Sequence, residues 1–336
     1  MHSVADPTSW LIFTVAVLGL LALDLGVFHR QAHAVKLKEA AIWSGIWISL
    51  AGAFGAYIYF HFGSERALEF SAAYLIEKSL SVDNLFVFVA IFSAFAVPSQ
   101  LQHRVLFWGV IGALVLRAIF IALGAVLLEH FHAIIYVFGG ILLITAYRLL
   151  REKPGHEANP QNSAAYKLFQ RFIPSTHDYH GNHMLVRVDG RLLATPLLAV
   201  LIVVEVSDVI FAVDSIPAVF AVTEDPFIVY TSNVFAILGL RSLYFLLADV
   251  VHRFRYLKLG LVGILSFVGV KMIIVDFYKV PIVLSLAFIA LALALSIVAS
   301  LLIPVSEAEK AALKHPDPGP DAPKPSPELE PSRPQH

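Results

Sequence analysis

Nine runs of about 20 mostly apolar residues follow one another along the first 303 residues of this chain. A helix of about 20 apolar residues is long enough to cross the hydrocarbon core of a bilayer. Charged residues make up only 15% of the 336 residues, whereas a soluble domain has about a quarter. The sequence therefore predicts an all-α membrane protein with about nine transmembrane helices. These spans lie at roughly residues 8–28, 40–60, 70–96, 104–128, 131–150, 193–222, 227–248, 257–279 and 281–303.

The basic residues indicate how the spans are oriented. Cytoplasmic loops of membrane proteins carry an excess of Lys and Arg. With the N-terminus outside, 18 of the 24 Lys and Arg residues fall in connections on the inner side, and only Arg66 and Lys279 fall outside. We therefore predict an N-out, C-in orientation, which agrees with an odd number of spans.

The chain is predicted to consist of one membrane domain and one tail. Residues 1–303 form the transmembrane domain, and its longest connection, at about 151–191, is a basic cytoplasmic loop. Within this loop YKLFQRFI (166–173) is a candidate amphipathic helix at the membrane surface. Residues 304–336 hold nine of the 18 prolines and few large apolar residues, so we expect a disordered tail.

The composition also excludes several functions. The net charge is −1 and the basic residues lie in short loops, which gives no indication of nucleic-acid binding. The chain has no cysteine, so disulfides and thiolate metal sites are excluded. No HExxH, GxSxG or GxGD motif is present, and we therefore do not expect an enzyme.

Five acidic residues lie in the middle of two predicted spans. They are Glu77 and Asp83 in the third span and Glu205, Asp208 and Asp214 in the sixth. At about 2.5–3.5 kcal/mol each, five carboxylates at this depth cost on the order of 12–18 kcal/mol, which is comparable to the stability of a whole domain. We therefore expect them to face one another, a cavity or bound cations.

Four basic residues inside the spans offer an alternative explanation. The acids would then simply pair with Lys78, Arg117, Arg241 and Lys271. Five acids against four bases leave one carboxylate unpaired. In a mixed arrangement, the bases balance the charge of the acids while the acids are empty or protonated.

Helical spacing divides the acids between two directions. Glu205, Asp208 and Ser215 share one helix face, and so do Glu77, Ser81 and Asn84. The two remaining aspartates, Asp83 and Asp214, are each turned by about 120° from the acid six residues earlier. Either the helices open locally, as Pro217 in the sixth span favours, or two neighbouring sites exist.

The candidate ligands all coordinate through oxygen. Carboxylate, amide and hydroxyl oxygens suit hard cations such as Mn²⁺, Mg²⁺ and Ca²⁺. Close carboxylates cannot all ionise when the site is empty, so exchange of metal for protons is a natural hypothesis. The predicted metal ligands are Glu77, Asp83, Asn84, Glu205, Asp208, Asp214 and Ser215. Asp24, near the end of the first span, is either an entrance ligand or a side chain that snorkels to the interface.

Three consecutive spans recur later in the chain. SVDNLFVF (81–88) in the third span matches AVDSIPAVF (212–220) in the sixth, LVLRAIFIAL in the fourth matches LGLRSLYFLL in the seventh, and GIL recurs in the fifth and eighth. Because an offset of three spans is odd, the two copies cross the membrane in opposite directions. Spans 3–5 and 6–8 are therefore predicted to form an inverted repeat, with which transporters expose one midplane site to each face in turn. Chance similarity between apolar helices is the alternative.

The motifs resemble one known family. LDLGVF (23–28), EKSLSVDNLFVF (77–88) and the long run TPLLAVLIVVEVSDVIFAVDS to LGLRSLYF (195–245) are similar to the TerC family. These integral membrane proteins, named for tellurium resistance, include the Alx-type manganese exporters. The resemblance covers most of residues 10–280 and implies a multi-pass protein of the bacterial inner membrane that moves Mn²⁺ out of the cytoplasm. It also implies the inverted three-span halves of the LysE-like transporters.

The resemblance and the residues together lead to one main hypothesis. The chain is expected to be a secondary exporter of Mn²⁺ or another hard divalent cation, with the five acids as ligands and proton carriers. Its expected partners are the metal ion and the lipid bilayer, without a tightly bound cofactor. The alternative is a scaffold protein of a metal or tellurite stress-resistance complex, in which the buried charges are structural.

Overall fold

A computed structural model shows a mostly helical protein. The structure describes residues 3–28, 37–131, 133–151, 160–176, 178–188, 190–247 and 256–303. The helices are α1 (Pro7–Phe28), α2 (Leu37–Phe62), α3 (Ser64–Ala94), α4 (Ser99–His130), α5 (Ile134–Arg151), α6 (Ala164–Phe172), α7 (Pro196–Phe220), α8 (Pro226–Leu238), α9 (Leu240–Leu247), α10 (Leu257–Ile273) and α11 (Ile282–Leu302). The predicted tail at 304–336 and the side chain of Asp24 lie outside the described residues.

Six helices in this part of the chain are long and apolar enough to cross a membrane. They are Lys38–Phe62, Ser99–His130, Ile134–Arg151, Pro196–Phe220, Pro226–Leu246 and Ile282–Leu302. The other three predicted spans fall on α1, α3 and α10. The apolar stretch of α1 is short, at Pro7–Ala22, α10 has 17 residues, and α3 carries several charged residues along its length. A helical membrane protein is thus confirmed, while the count of nine spans stays a prediction.

The loop that is predicted to be cytoplasmic contains regular structure. α6 covers most of the predicted amphipathic segment. Phe169 on its inner face packs against Ala194, which lies before α7, and against Ala199 in the first turn of α7. A short antiparallel hairpin follows, with β1 (Leu185–Val188) paired to β2 (Arg191–Ala194). This hairpin is the exception to the predicted all-α architecture, because two strands of four residues in a loop leave no mark on the hydropathy pattern.

Helices α3, α4, α7 and α8 pack against one another at the centre of the molecule. Almost every residue of α8 is buried. In contrast α1, α2 and α11 expose large apolar side chains such as Leu11, Phe60 and Leu291. Apolar side chains on the outer face of a membrane protein contact lipid, so the polar residues of the spans are collected inside.

Helices α5 and α10 cross at two glycines. A Cβ atom on Gly139 would lie 2.9 Å from the carbonyl oxygen of Gly269, and a Cβ atom on Gly269 would lie 3.0 Å from the carbonyl oxygen of Gly139. The two backbones therefore approach each other in the same way from both sides. Small residues at a crossing point allow this close packing in membranes.

The helix break lies in the seventh predicted span and not in the third or sixth. α3 runs without interruption through Asp83, and α7 runs without interruption through Pro217 to Phe220. The predicted opening at Pro217 is therefore wrong. Proline removes only one helical hydrogen bond, and here it does so within the last turn of α7. The chain breaks instead at Gly239, between α8 and α9.

Candidate functional site

Arg117 of α4 lies at the centre of the molecule and is 1% exposed. Its Nη2 donates to Oδ1 of Asp208 at 3.0 Å and its Nε donates to Oδ2 of the same residue at 3.3 Å. Its Nη1 forms an ion pair with Oε1 of Glu77 and donates to Oγ of Ser215 at 3.2 Å. One guanidinium thus joins two carboxylates and a hydroxyl from α3 and α7.

Three buried polar side chains in this part of the molecule have atoms without a hydrogen-bond partner among the described residues. These atoms are Oε2 of Glu77, Oγ of Ser81, and both Oδ1 and Nδ2 of Asn233. All three side chains are 1% exposed or less. A buried polar atom without a partner costs about 1–3 kcal/mol, and such groups call for an explanation.

Glu205 occupies a separate position on α7, one turn from Asp208. It is half-buried, and Gly112 of α4 lies directly opposite. A Cβ atom at Gly112 would overlap the carboxyl group of Glu205, so this glycine makes room for the side chain. Oε2 of Glu205 is another buried oxygen without a hydrogen-bond partner in the described structure.

Asp214 faces a different helix from Asp208. Thr145 of α5 donates from Oγ1 to Oδ1 of Asp214 at 2.7 Å, and the charge of Arg148 also acts on this aspartate. The structure therefore agrees with the second alternative from the helical spacing, in which intact helices present their acids to two neighbouring places. On α3, Asp83 is half-buried and Asn84 is 2% exposed.

The other three bases inside the predicted spans have different surroundings. Nζ of Lys78 donates to the carbonyl oxygen of Ala236 at 3.2 Å, directly before the break at Gly239. Nζ of Lys271 donates to Oγ of Ser285 at 3.1 Å. Arg241 is 4% exposed and lines a cavity of about 20 Å³ together with Asp208. A cavity of this size accommodates one water molecule.

A larger polar cleft of about 640 Å³ opens at the end of the bundle that is predicted to face outward. Its charged and hydroxyl side chains are Glu65, Arg66, Glu69, Thr223, Glu224, Asp225, Lys271 and Lys279. Oε2 of Glu69 accepts hydrogen bonds from Thr223 at 2.6 Å and Arg66 at 2.7 Å. Phe220 lines this cleft and belongs to one buried apolar cluster with Ile76 and Ile216, which directly precede Glu77 in α3 and follow Ser215 in α7; these three residues are called the apolar layer.

The five predicted acidic ligands do not form a single cluster in the structure. Glu77 and Asp208 meet at Arg117, whereas Glu205 faces Gly112 and Asp214 faces Thr145. In the part of the chain that the structure describes, no group of three or more His, Asp or Glu side chains is arranged to hold a metal ion. A cation at Arg117 would therefore need neutral oxygens to complete its ligands.

Comparisons with known proteins agree with this architecture. The model of the integral membrane protein TerC family matches residues 62–308. The chain belongs to the TerC family. The chain is 56% identical over 311 residues to an uncharacterized membrane protein of Myxococcus xanthus, and the match covers 91% of this chain and 97% of the relative. No solved structure matches the chain.

A second relative carries a functional name. The chain is 48% identical over 298 residues to the putative membrane-bound redox modulator Alx of Escherichia coli strain K12, covering 86% of this chain and 92% of that protein. An uncharacterized membrane protein of Rickettsia bellii is 40% identical over 295 residues, covering 88% of this chain and 97% of its own length. The family model thus covers residues 62–308, and the similarity to these relatives extends over 86% to 91% of the chain.

Sequence reasoning missed two uncharged residues among the buried polar positions of the spans. The first is Asn233, whose only signal is an amide in the apolar run VYTSNVFAIL. The second is Gly112, which precedes Arg117 by five residues and looks like any small residue in a span. Neither residue is charged, so the cost argument that singled out the acids does not apply to them.

Proposed function

We propose that this TerC protein is a secondary transporter that exports Mn²⁺, and other hard divalent cations, from the cytoplasm of a bacterium across its inner membrane. The observation that carries the proposal is the contact of Arg117 with Glu77 and Asp208. Two buried carboxylates from two helices converge there on one guanidinium group, in the middle of the spans. Mn²⁺ is the first candidate because the family resemblance implies it, and oxygen ligands suit such a cation.

In this proposal, Arg117 takes the place of the transported ion when the site is empty. Its guanidinium balances the charges of Glu77 and Asp208, which would otherwise be buried without compensation. An incoming dication competes for the same oxygens and displaces the guanidinium. Protons on the carboxylates are the second means of neutralising an empty site, so exchange of metal for protons follows from the same geometry.

The packing supports nine spans with an inverted repeat. Counted in order, α1, α2, α3, α4, α5, α7, α8 with α9, α10 and α11 provide nine crossings. The repeat relates α5 to α10, and these helices touch through the reciprocal contact of Gly139 and Gly269. Contact between two corresponding helices is the arrangement that a two-fold axis between the halves produces.

The experiment is metal uptake into liposomes that contain the purified full-length protein and a metal-sensitive dye. We expect Mn²⁺ flux that increases when a pH gradient drives protons in the opposite direction. Asp208→Asn is expected to reduce the flux by at least 10-fold. Asp178→Asn, the same change at an exposed residue of the cytoplasmic loop, serves as the matched control. Flux that does not respond to the gradient would contradict proton exchange, and no flux of any divalent ion would contradict the transporter.

The alternative is a scaffold protein in which the ion pairs of Arg117 only stabilise the fold. Cells that express Asp83→Asn or Asp214→Asn would then retain their tolerance to manganese. The relative from Escherichia coli is named a putative redox modulator, but the present chain has no cysteine. A redox function through thiol chemistry is therefore excluded for this chain.

A further inference from the structure

Asn233 is the most conspicuous neutral side chain in the middle of α8. It is 1% exposed, and neither atom of its amide has a hydrogen-bond partner among the described residues. Its neighbours behave differently, because Thr231 donates to the carbonyl oxygen of Phe227 at 2.7 Å and Ser232 donates to that of Val229 at 3.0 Å. Only the amide is left without a partner on the buried helix.

The packing of α4 against α8 and α9 shows what lies beside Asn233. Gln102 accepts a hydrogen bond from Tyr244 at 3.1 Å, and Ala113 lines the same small cavity as Ile237. The two segments therefore run antiparallel. One turn beyond Ala113 on α4 is Arg117, and one turn before Ile237 on α8 is Asn233. This register places Asn233 and Arg117 at the same level along their two helices.

Helix α3 contributes to the same place from the other side. Lys78 donates to the carbonyl oxygen of Ala236, so the turn of α8 that contains Asn233 lies next to the turn of α3 that contains Glu77. Oε2 of Glu77 and Oγ of Ser81, one turn further along α3, also have no hydrogen-bond partner in the described structure. Buried oxygens without a partner thus lie on the adjoining turns of α3 and α8, and one of these side chains, Glu77, also contacts Arg117.

We propose that Asn233, together with Ser81 and the second oxygen of Glu77, forms the part of the coordination shell that the transported dication uses when Arg117 is displaced. The inference rests on the proposed function and extends it to the neutral ligands. Glu77 and Asp208 carry two negative charges, which match those of a dication, so neutral oxygens are sufficient to complete its ligands. An amide carbonyl and a hydroxyl meet this requirement and are oxygen ligands of hard cations.

The test is equilibrium binding of Mn²⁺ to the purified full-length protein in detergent, followed by calorimetry or by the paramagnetic resonance signal of free Mn²⁺. We expect Asn233→Leu to weaken Mn²⁺ binding by at least 10-fold, without lowering the melting temperature, because the change removes an unpartnered amide. Asn233→Asp, which has nearly the same shape, is expected to bind Mn²⁺ more tightly than the natural protein because it adds a charge to the site. Ser232→Ala on the same turn is the control.

The outcomes separate this inference from the proposed function. If the natural protein and Asn233→Leu bind Mn²⁺ equally well, the role of Asn233 is wrong while the transporter stands. If Asn233→Asp binds no more tightly than the natural protein, the amide does not contact the ion, and this holds even when the leucine variant fails to fold. If the natural protein binds no divalent cation at all, the proposed function fails together with the inference.

Discussion

Arg117 combines the roles of a structural residue and of a substitute for the substrate. Its three polar partners come from α3 and α7, so it connects helices that belong to different halves of the proposed repeat. Replacing an ion pair by apolar residues is often tolerated, but removing one partner leaves the others charged and buried. The residue therefore allows stability and transport to be examined separately.

Arg117→Leu is expected to destabilise the protein by about 3–5 kcal/mol, because Glu77 and Asp208 lose their shared cation. The combination with Glu77→Gln and Asp208→Asn is expected to recover most of this loss, since the buried charges are then absent. Thermal unfolding in detergent measures both effects. A single variant as stable as the natural protein would show that the three residues are not coupled.

Gly112→Ala is expected to disturb Glu205 without unfolding the protein. The added Cβ would overlap the carboxyl group, which is the mobile end of a long side chain and is able to rotate away. We expect metal flux in liposomes to fall several-fold while the melting temperature stays within a few degrees of that of the natural protein. Gly52→Ala, where nothing lies within 4 Å of the added atom, is the control. Normal flux in Gly112→Ala would mean that the position of Glu205 does not matter for transport.

At the scale of helices, two features set the geometry of the site. Lys78 donates to the carbonyl oxygen of Ala236, three residues before the break at Gly239, so an ammonium group is held by the backbone of a neighbouring helix. The crossing of α5 and α10 brings two backbones together at Gly139 and Gly269. Both features depend on residues without a side chain, where the backbone of one helix becomes accessible to another.

Gly139→Ala is expected to destabilise the protein by about 1–3 kcal/mol, as other overpacked positions do. The new Cβ would lie 2.9 Å from the carbonyl oxygen of Gly269, and neither backbone is able to move alone. The neighbouring change Gly140→Ala has open space around it and is expected to be neutral or to stabilise by up to about 1 kcal/mol through helix propensity. Thermal unfolding of the two variants gives the comparison. Equal melting temperatures would mean that the close crossing does not contribute to stability.

The sequence was sufficient to predict the helices and the buried acids, but not the contacts between them. A long apolar run in a bilayer forms a helix, because its backbone hydrogen bonds must be made within the run. The cost of a buried charge makes residues such as Glu77 and Asp208 conspicuous. Which base meets which acid depends on helix rotation and register, so the spacing did not indicate that Arg117 touches two acids while Lys78 binds a carbonyl oxygen.

Pro217 was misleading for a related reason, because a proline near a helix end costs little. Asn233 was missed because an uncharged amide is inexpensive enough to occur by chance.

At the scale of the whole molecule, the proposed repeat relates two sets of three spans that enter the membrane from opposite sides. α3 would begin at the outer face and α7 at the inner face, and the polar cleft beside Glu69 would then be the outer opening of the transport path. In this arrangement the apolar layer, which packs as one cluster, would separate this opening from the central carboxylates. Alternating access requires that layer to open and an equivalent one to form on the inner side.

The opposite insertion of the two halves can be tested directly because the chain has no cysteine of its own. Ser64→Cys lies at the first residue of α3, Arg191→Cys lies shortly before α7, and both positions are exposed. We expect a membrane-impermeant maleimide to label Ser64→Cys in cells whose inner membrane is intact, and to label Arg191→Cys only after that membrane is opened. The natural protein, which should remain unlabelled, is the control. Labelling of both positions from the same side would place the starts of α3 and α7 on one face of the membrane, and an inverted repeat with a shared midplane site would then be impossible.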